Sequence, residues 1–169
     1  MSPSAVPANE SVASLAARIV ASATVSGQTI ATAESLTAGL VASAICEVPG
    51  ASSAFLGGVV SYANSVKAEV LGVRAELLSE RGSVDPEVAR AMAAGARRAC
   101  GTDWAVSTTG VAGPEPHDGK PVGLVYVGCA GPGGFRTKEL RLTGDRAEIR
   151  ERSVVAALRV LLDAMCAEG

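Results

Sequence analysis

Gln28-Thr29-Ile30-Ala31-Thr32-Ala33 reads as a short strand. It runs into Glu34-Ser35-Leu36-Thr37-Ala38-Gly39, where small and hydroxylated residues break the pattern before a helical one over residues 37–46. A serine on a strand-to-helix turn is held by the backbone. It also lies beside the unpaired N–H groups of the first helical turn, which stabilise an oxyanion or a bound anion. Ser35 is therefore a candidate nucleophile. The plain alternative is that Ser35 or Thr37 only caps the helix, as both residue types do.

Outward from this turn the chain alternates helix and strand. Leu15, Ile19 and Val20 put an apolar stripe on a helix over residues 10–24, and Pro49-Gly50 closes the helix after Ser35. Residues 54–62 form the strongest strand, a continuous apolar run of the kind expected where both sheet faces are covered. Asn64 is the expected N-cap of a helix ending near Gly72. Asp85-Pro86-Glu87 opens another, with proline at the first helical position and Gly101 at its end. Strands follow over residues 102–109, 122–129 and 135–142. The last two are joined through Gly131-Pro132-Gly133-Gly134 as an antiparallel hairpin. Asp145-x-x-Glu148 is a capping box for a final helix striped by Val154, Leu158, Leu161 and Met165. This order predicts a three-layer α/β/α sandwich with a mixed, mostly parallel sheet.

Composition narrows the function classes. A chain of 169 residues, 48% apolar, holds one buried core, expected as a single domain over residues 10–169 behind a flexible tail over residues 1–9. Net charge is -2 and aromatics make up 3%, so there is neither a basic footprint nor a stacking platform for nucleic acid. Acidic and basic residues interrupt the Ala/Val-rich N-terminal region and no basic cluster precedes it, so no leader peptide or membrane span is expected. Cys46, Cys100, Cys129 and Cys166 stand singly, which fits free thiols and a cytoplasmic location. No metal-ligand spacing and no P-loop occurs, so neither a metal nor a cofactor is expected.

Ligands of such a fold gather where loops leave the strand C-termini. Three loops there are unusual: the Ser35 turn, Ser61-Tyr62-Ala63-Asn64-Ser65-Val66-Lys67, and Thr108-Thr109-Gly110-Val111-Ala112-Gly113-Pro114. With Asn64 as N-cap, Lys67 falls in the first helical turn. Helix dipole and burial would both lower its pKa there and free an amine to act as a base. Tyr62 approaches Lys67 only if it closes the strand while Lys67 opens the helix. The alternative is a solvated lysine. His117, the sole histidine, lies in a Pro/Gly-bounded loop without triad spacing and reads as a surface residue.

Seven runs then combine: TAESLTAG (32–39), VPGASSAFLGGVVSYANSVK (48–67), Val70-Leu71-Gly72-Val73, Ser83-Val84 with Pro86-Glu87-Val88-Ala89, TTGVAGP (108–114), KPVGLVYV (120–127) and GDRAEIRER (144–152). Together they resemble the CinA C-terminal domain family from about Leu15 to the C-terminus. Its characterised members are nicotinamide mononucleotide (NMN) amidohydrolases. The resemblance implies that fold, and hydrolysis of the NMN carboxamide to nicotinate mononucleotide and ammonia in NAD salvage. It implies Ser35 as nucleophile, Lys67 as general base and Tyr62 beside them. Glu34, Thr37, Thr109, Gly110 and Arg146 would lie around the substrate, and the chain would form a homo-oligomer. Family members often carry a further N-terminal domain associated with pyrophosphatase activity, for which this chain leaves no room, so a stand-alone deamidase is expected.

Two departures stand out. The family pattern T-A-E-S-C-T-G-G here carries Leu36 and Ala38, and a Gly-Gly-Thr run is replaced by Glu115-Pro116-His117-Asp118-Gly119. They motivate a second reading, a non-catalytic nucleotide-binding or regulatory module. A third is a general amidase or esterase.

Overall fold

In the computed structural model, which describes residues 10–168, β1 (Ile30–Glu34) is flanked by two parallel partners, β2 (Phe55–Val60) and β3 (Trp104–Gly110). β4 (Leu124–Gly131) pairs antiparallel with β3, and β5 (Gly134–Arg141) antiparallel with β4. The sheet order is β2-β1-β3-β4-β5, and only β4 runs against the other four. The sheet is mixed and mostly parallel in direction. The tail expected over residues 1–9 lies outside the described residues.

Three helices cover one face: α1 (Val12–Ser26), α2 (Leu40–Cys46) and α6 (Arg146–Ala167). Leu15, Ile19, Ile45, Leu158 and Leu161 pack there against Ile30, Trp104, Val106 and Val127 from the strands. α3 (Asn64–Glu69), α4 (Ala75–Arg81) and α5 (Pro86–Cys100) lie on the opposite side, where Leu77, Val88 and Met92 meet Ala31, Ala33 and Ala105. Small strand residues let α5 settle close to the sheet. A Cβ added to Gly128 would come within 2.4 Å of the Ala89 carbonyl. That close approach lets small residues fill this part of the core. Among the described residues, no helix is long and apolar enough to cross a membrane.

Several local expectations are met. Asp85 caps α5 with Pro86 at its start and Gly101 at its end, and Asp145 with Glu148 forms a complete capping box on α6. Others are corrected. β2 is an edge strand whose residues alternate in burial, with Leu56 53% and Val60 51% exposed, so its apolar run is not covered on both faces. α2 starts at Leu40 rather than Thr37, because Ala38 (φ 50°) and Gly39 (φ 98°) are left-handed and interrupt helical geometry. The N-cap of α3 is Ala63, not Asn64. α4 has no counterpart in the sequence reading.

Candidate functional site

The parallel strands β2, β1 and β3 end together. The chain leaves β1, pairs on one side as β2, and returns to the other as β3, so the carboxyl end of β1 is a topological switch point, the usual ligand crevice of such sheets. Ser35 follows β1 directly, Ser61 and Tyr62 follow β2, and Val111 follows β3.

The Ser35 turn is fixed from below by Glu34. Its buried carboxylate accepts the N–H groups of Val41 (2.7 Å) and Ala42 (3.2 Å) and the Thr37 hydroxyl (2.7 Å). The Thr37 proton is spent on Glu34, so the 2.7 Å contact between Thr37 and Thr108 runs from the Thr108 hydroxyl to the Thr37 oxygen. The Ser35 N–H donates to the Thr108 carbonyl (3.0 Å) and the Ser35 carbonyl accepts from Ala38 N–H (3.1 Å). From the other side, Arg150 donates its Nε to the Leu36 carbonyl at 2.9 Å. Arg150 was missed in the sequence reading. Its spacing four residues after Arg146, on the same face of α6, is the signal that would have found it.

These bonds decide which amides are free. Ser35 N–H is committed to the sheet and is not an oxyanion donor, which narrows the expected set. The Leu36 and Thr37 N–H groups have no acceptor among the described residues. In a trans peptide the N–H points opposite to the preceding carbonyl. Thr37 N–H therefore points away from Arg150, and Leu36 N–H away from Ala38.

Lys67 is 1% exposed, on α3, and its Nζ lies 3.2 Å from Ser35 Oγ. It also donates to the carbonyls of Ser61 (2.6 Å) and Tyr62 (3.3 Å). No carboxylate pairs with it among the described residues, and burial pulls its pKa down from 10.5 to about 8. The expected dipole contribution is corrected, since Lys67 lies in the last turn of the six-residue α3 rather than its first. A neutral amine has two N–H donors and one lone pair. The two carbonyls can only accept, so they take the N–H groups, and the lone pair is left for the Ser35 hydroxyl proton. As an ammonium Lys67 would donate to all three oxygens, so it is burial that draws it toward the neutral form.

Tyr62 meets Lys67 through its carbonyl alone. Its exposed phenol oxygen accepts from Arg146 Nη2 at 3.1 Å, while Arg146 Nη1 donates to the Gly113 carbonyl at 2.6 Å. Glu148 is occupied by the Asp145 N–H in the capping box, so no Arg146–Glu148 pair forms.

A cavity of about 340 Å³ opens over these groups. Ser35, Gly110 and Ser83 line its inner part, and Tyr62, Glu115, His117 and Arg146 its exposed rim. Of the residues expected around a substrate, Gly110 and Arg146 line it. Glu34, Thr37 and Thr109 lie behind, with side chains bonded internally; Thr109 donates to the Ser83 carbonyl at 2.6 Å. A larger groove of about 590 Å³ between α1, α2 and α6 is mostly apolar and holds no such arrangement of nucleophile and base.

Residues 12–165 match the model of the CinA C-terminal domain. The chain belongs to the CinA C-terminal domain family. A CinA-like protein of Frankia casuarinae is 53% identical over 130 residues, 77% of this chain and 30% of that protein. A putative competence-damage inducible protein of Desulforamulus reducens is 46% identical over 134 residues, 79% of this chain and 33% of its own length. This chain thus spans about a third of the length of these curated relatives. Among solved structures, a competence/damage inducible protein of Agrobacterium tumefaciens is 37% identical with a TM-score of 0.87, covering 96% of this chain and 99% of that one. A CinA superfamily protein of Klebsiella pneumoniae is 30% identical with a TM-score of 0.89, covering 94% and 99%. The CinA fold of these neighbours is the fold described here.

Proposed function

We propose that this chain hydrolyses the carboxamide of NMN to nicotinate mononucleotide and ammonia through a Ser35–Lys67 dyad. The observation that carries the reading is the buried Lys67 Nζ, 3.2 Å from Ser35 Oγ and without a carboxylate partner among the described residues. The relatives' names give no substrate. The amide and the nucleotide come from the resemblance to NMN amidohydrolases, and the cavity supports them with a nucleophile inside and Arg146 at the rim.

Neutral Lys67 takes the Ser35 proton as Oγ bonds to the amide carbon. The carbonyl oxygen becomes an oxyanion, for which Leu36 and Thr37 N–H are the available donors. Lys67 returns its proton to the amide nitrogen as the C–N bond breaks, releasing ammonia and leaving an ester on Ser35. Water then attacks the ester, giving one proton to Lys67, which passes it back to Ser35 as the carboxylic acid leaves; the acid then gives its proton to the ammonia or to solvent. Tyr62, whose oxygen already accepts from Arg146, keeps its own O–H free for substrate.

A nucleotide-binding module without turnover is the competing reading, and the left-handed Ala38 in the nucleophile turn favours it. Ammonia release from NMN by the purified protein separates the two. We expect turnover in the wild type and a loss of about a thousandfold or more in Ser35→Ala, with an unchanged melting temperature. Binding of NMN without ammonia release would establish the module, and near-normal activity of Ser35→Ala would remove Ser35 from the chemistry.

A further inference from the structure

We infer that His117 is a second anion contact of this cavity, acting with Arg146 to favour a phosphorylated substrate over its unphosphorylated counterpart. The inference rests on the amidohydrolase reading above, and it places a specificity role in the segment where this chain departs from the family pattern.

Position comes first. Among the described residues that line the cavity, His117 and Arg146 are the two whose side chains can carry positive charge. Glu115 lines the same rim and offsets the charge of Arg146. Two of the five guanidinium N–H groups are already spent on the Gly113 carbonyl and the Tyr62 phenol. A ligand phosphate carries more than one negative charge and several acceptor oxygens, so one half-committed guanidinium is a poor match. His117 adds a second nitrogen-bearing side chain on the same rim, within the same cavity lining as Arg146.

His117 is also held in place. Its N–H donates to the Lys120 carbonyl (3.2 Å) and its carbonyl accepts the Lys120 N–H (2.8 Å), which pinches the loop tip. Asp118 Oδ2 accepts from Ser83 N–H at 3.3 Å and from its hydroxyl at 3.5 Å. The Ser83 carbonyl in turn takes the Thr109 hydroxyl of β3. The other stem of the loop is tied by Arg146 to Gly113. A loop anchored on both stems holds the backbone of His117 at the rim.

The third observation is the ring's partner. His117 Nε2 lies 3.4 Å from Asp118 Oδ2. Through that contact Nε2–H donates to the carboxylate, and a doubly protonated ring keeps Nδ1–H as a second donor for a ligand. The charged groups around the ring are Asp118, which holds it, Glu115 and Arg146 on the rim, and Lys120 across the loop. The inner cavity holds the nucleophile and the outer rim holds Arg146 and His117, an arrangement suited to a ligand with an amide at one end and an anion at the other.

The test measures steady-state ammonia release from NMN and from nicotinamide riboside by wild type, His117→Ala and His117→Lys. We expect His117→Ala to raise KM for NMN about tenfold, equivalent to ~1.4 kcal/mol, with a much smaller change in kcat. KM for the riboside should not follow, and His117→Lys should recover most of the NMN affinity by supplying N–H donors at the same rim position. An unchanged KM for NMN overturns the inference. So does an equal rise for both substrates, especially with a lowered melting temperature, because that marks a purely structural loop. If the wild type releases no ammonia from NMN, the amidohydrolase reading falls first and takes this inference with it.

Discussion

The floor of the cavity and its rim are built on opposite principles. At the floor, Lys67 is 1% exposed and the turn at residues 35–39 is bonded from three sides, by Glu34, Thr108 and Arg150. At the rim, residues 114–119 are exposed and rest on a few contacts to Ser83 and Arg146. Burial is what makes the floor useful, because an amine becomes a base at moderate pH only where water cannot stabilise its charge. The rim gains nothing from burial. It needs charge and reach, which surface residues supply and can exchange without unfolding the core. The floor keeps the family's Glu-Ser and Lys, while the rim replaces Gly-Gly-Thr by Glu115-Pro116-His117-Asp118-Gly119.

The largest effect expected at the floor belongs to Lys67. Lys67→Arg keeps a charge but offers no neutral base, so it should lose about a thousandfold in kcat/KM, close to Lys67→Ala. In the wild type, kcat/KM for NMN should rise with pH and level off above a value near 8, where Lys67 sheds its proton. Stability has a matching signature. Between pH 8 and 10.5 the unfolded lysine is protonated while the folded one is largely not, so the unfolded state binds more protons and stability rises with pH. Lys67→Met should lack that component. An active Lys67→Arg would turn the floor into a binding device and erase the contrast with the rim.

Glu34→Gln sharpens the same comparison more gently. The carboxylate accepts from two N–H groups and one hydroxyl. An amide replaces one accepting oxygen by a donor, leaving an N–H facing an N–H. The expected cost is about 1–3 kcal/mol, a fall in melting temperature of roughly 3–10 °C, with reduced kcat as the turn loosens. An unchanged melting temperature would show that the turn is not held by this carboxylate.

Much of this was legible in the sequence because it is local. Asp85-Pro86, Gly101 and the Asp145/Glu148 box set helix ends through bonds a few residues apart, and the structure keeps all three. The place of β2 in the sheet was not legible. Gly57 and Gly58 sit within an apolar run, and only the strand order shows that it forms an edge. Lys67 was named as a base, and the expected burial holds, but the expected dipole contribution does not, and Tyr62 meets it through its carbonyl. Arg150, α4 and the cavity-facing position of His117 depend on packing between segments far apart in the chain, which no short pattern encodes.

The smallest expected effect lies at Ala38, and it tests how the floor tolerates a departure from the family pattern. Ala38 sits at φ 50°, a left-handed conformation that costs an L-residue roughly 1–2 kcal/mol. Glycine removes that strain but restores about 0.5–1 kcal/mol of unfolded-state entropy. The net gain for Ala38→Gly is therefore about 0–1.5 kcal/mol, a rise in melting temperature of at most about 6 °C. Ala38 is exposed and carries no side-chain hydrogen bond, and the turn is held by Glu34 and Arg150 instead. Activity on NMN should thus change by less than about twofold. A lower melting temperature would mean that the alanine conformation is relaxed. A large gain in activity would mean that the alanine holds Ser35 away from its productive position, and the floor would then be the place where this chain has diverged.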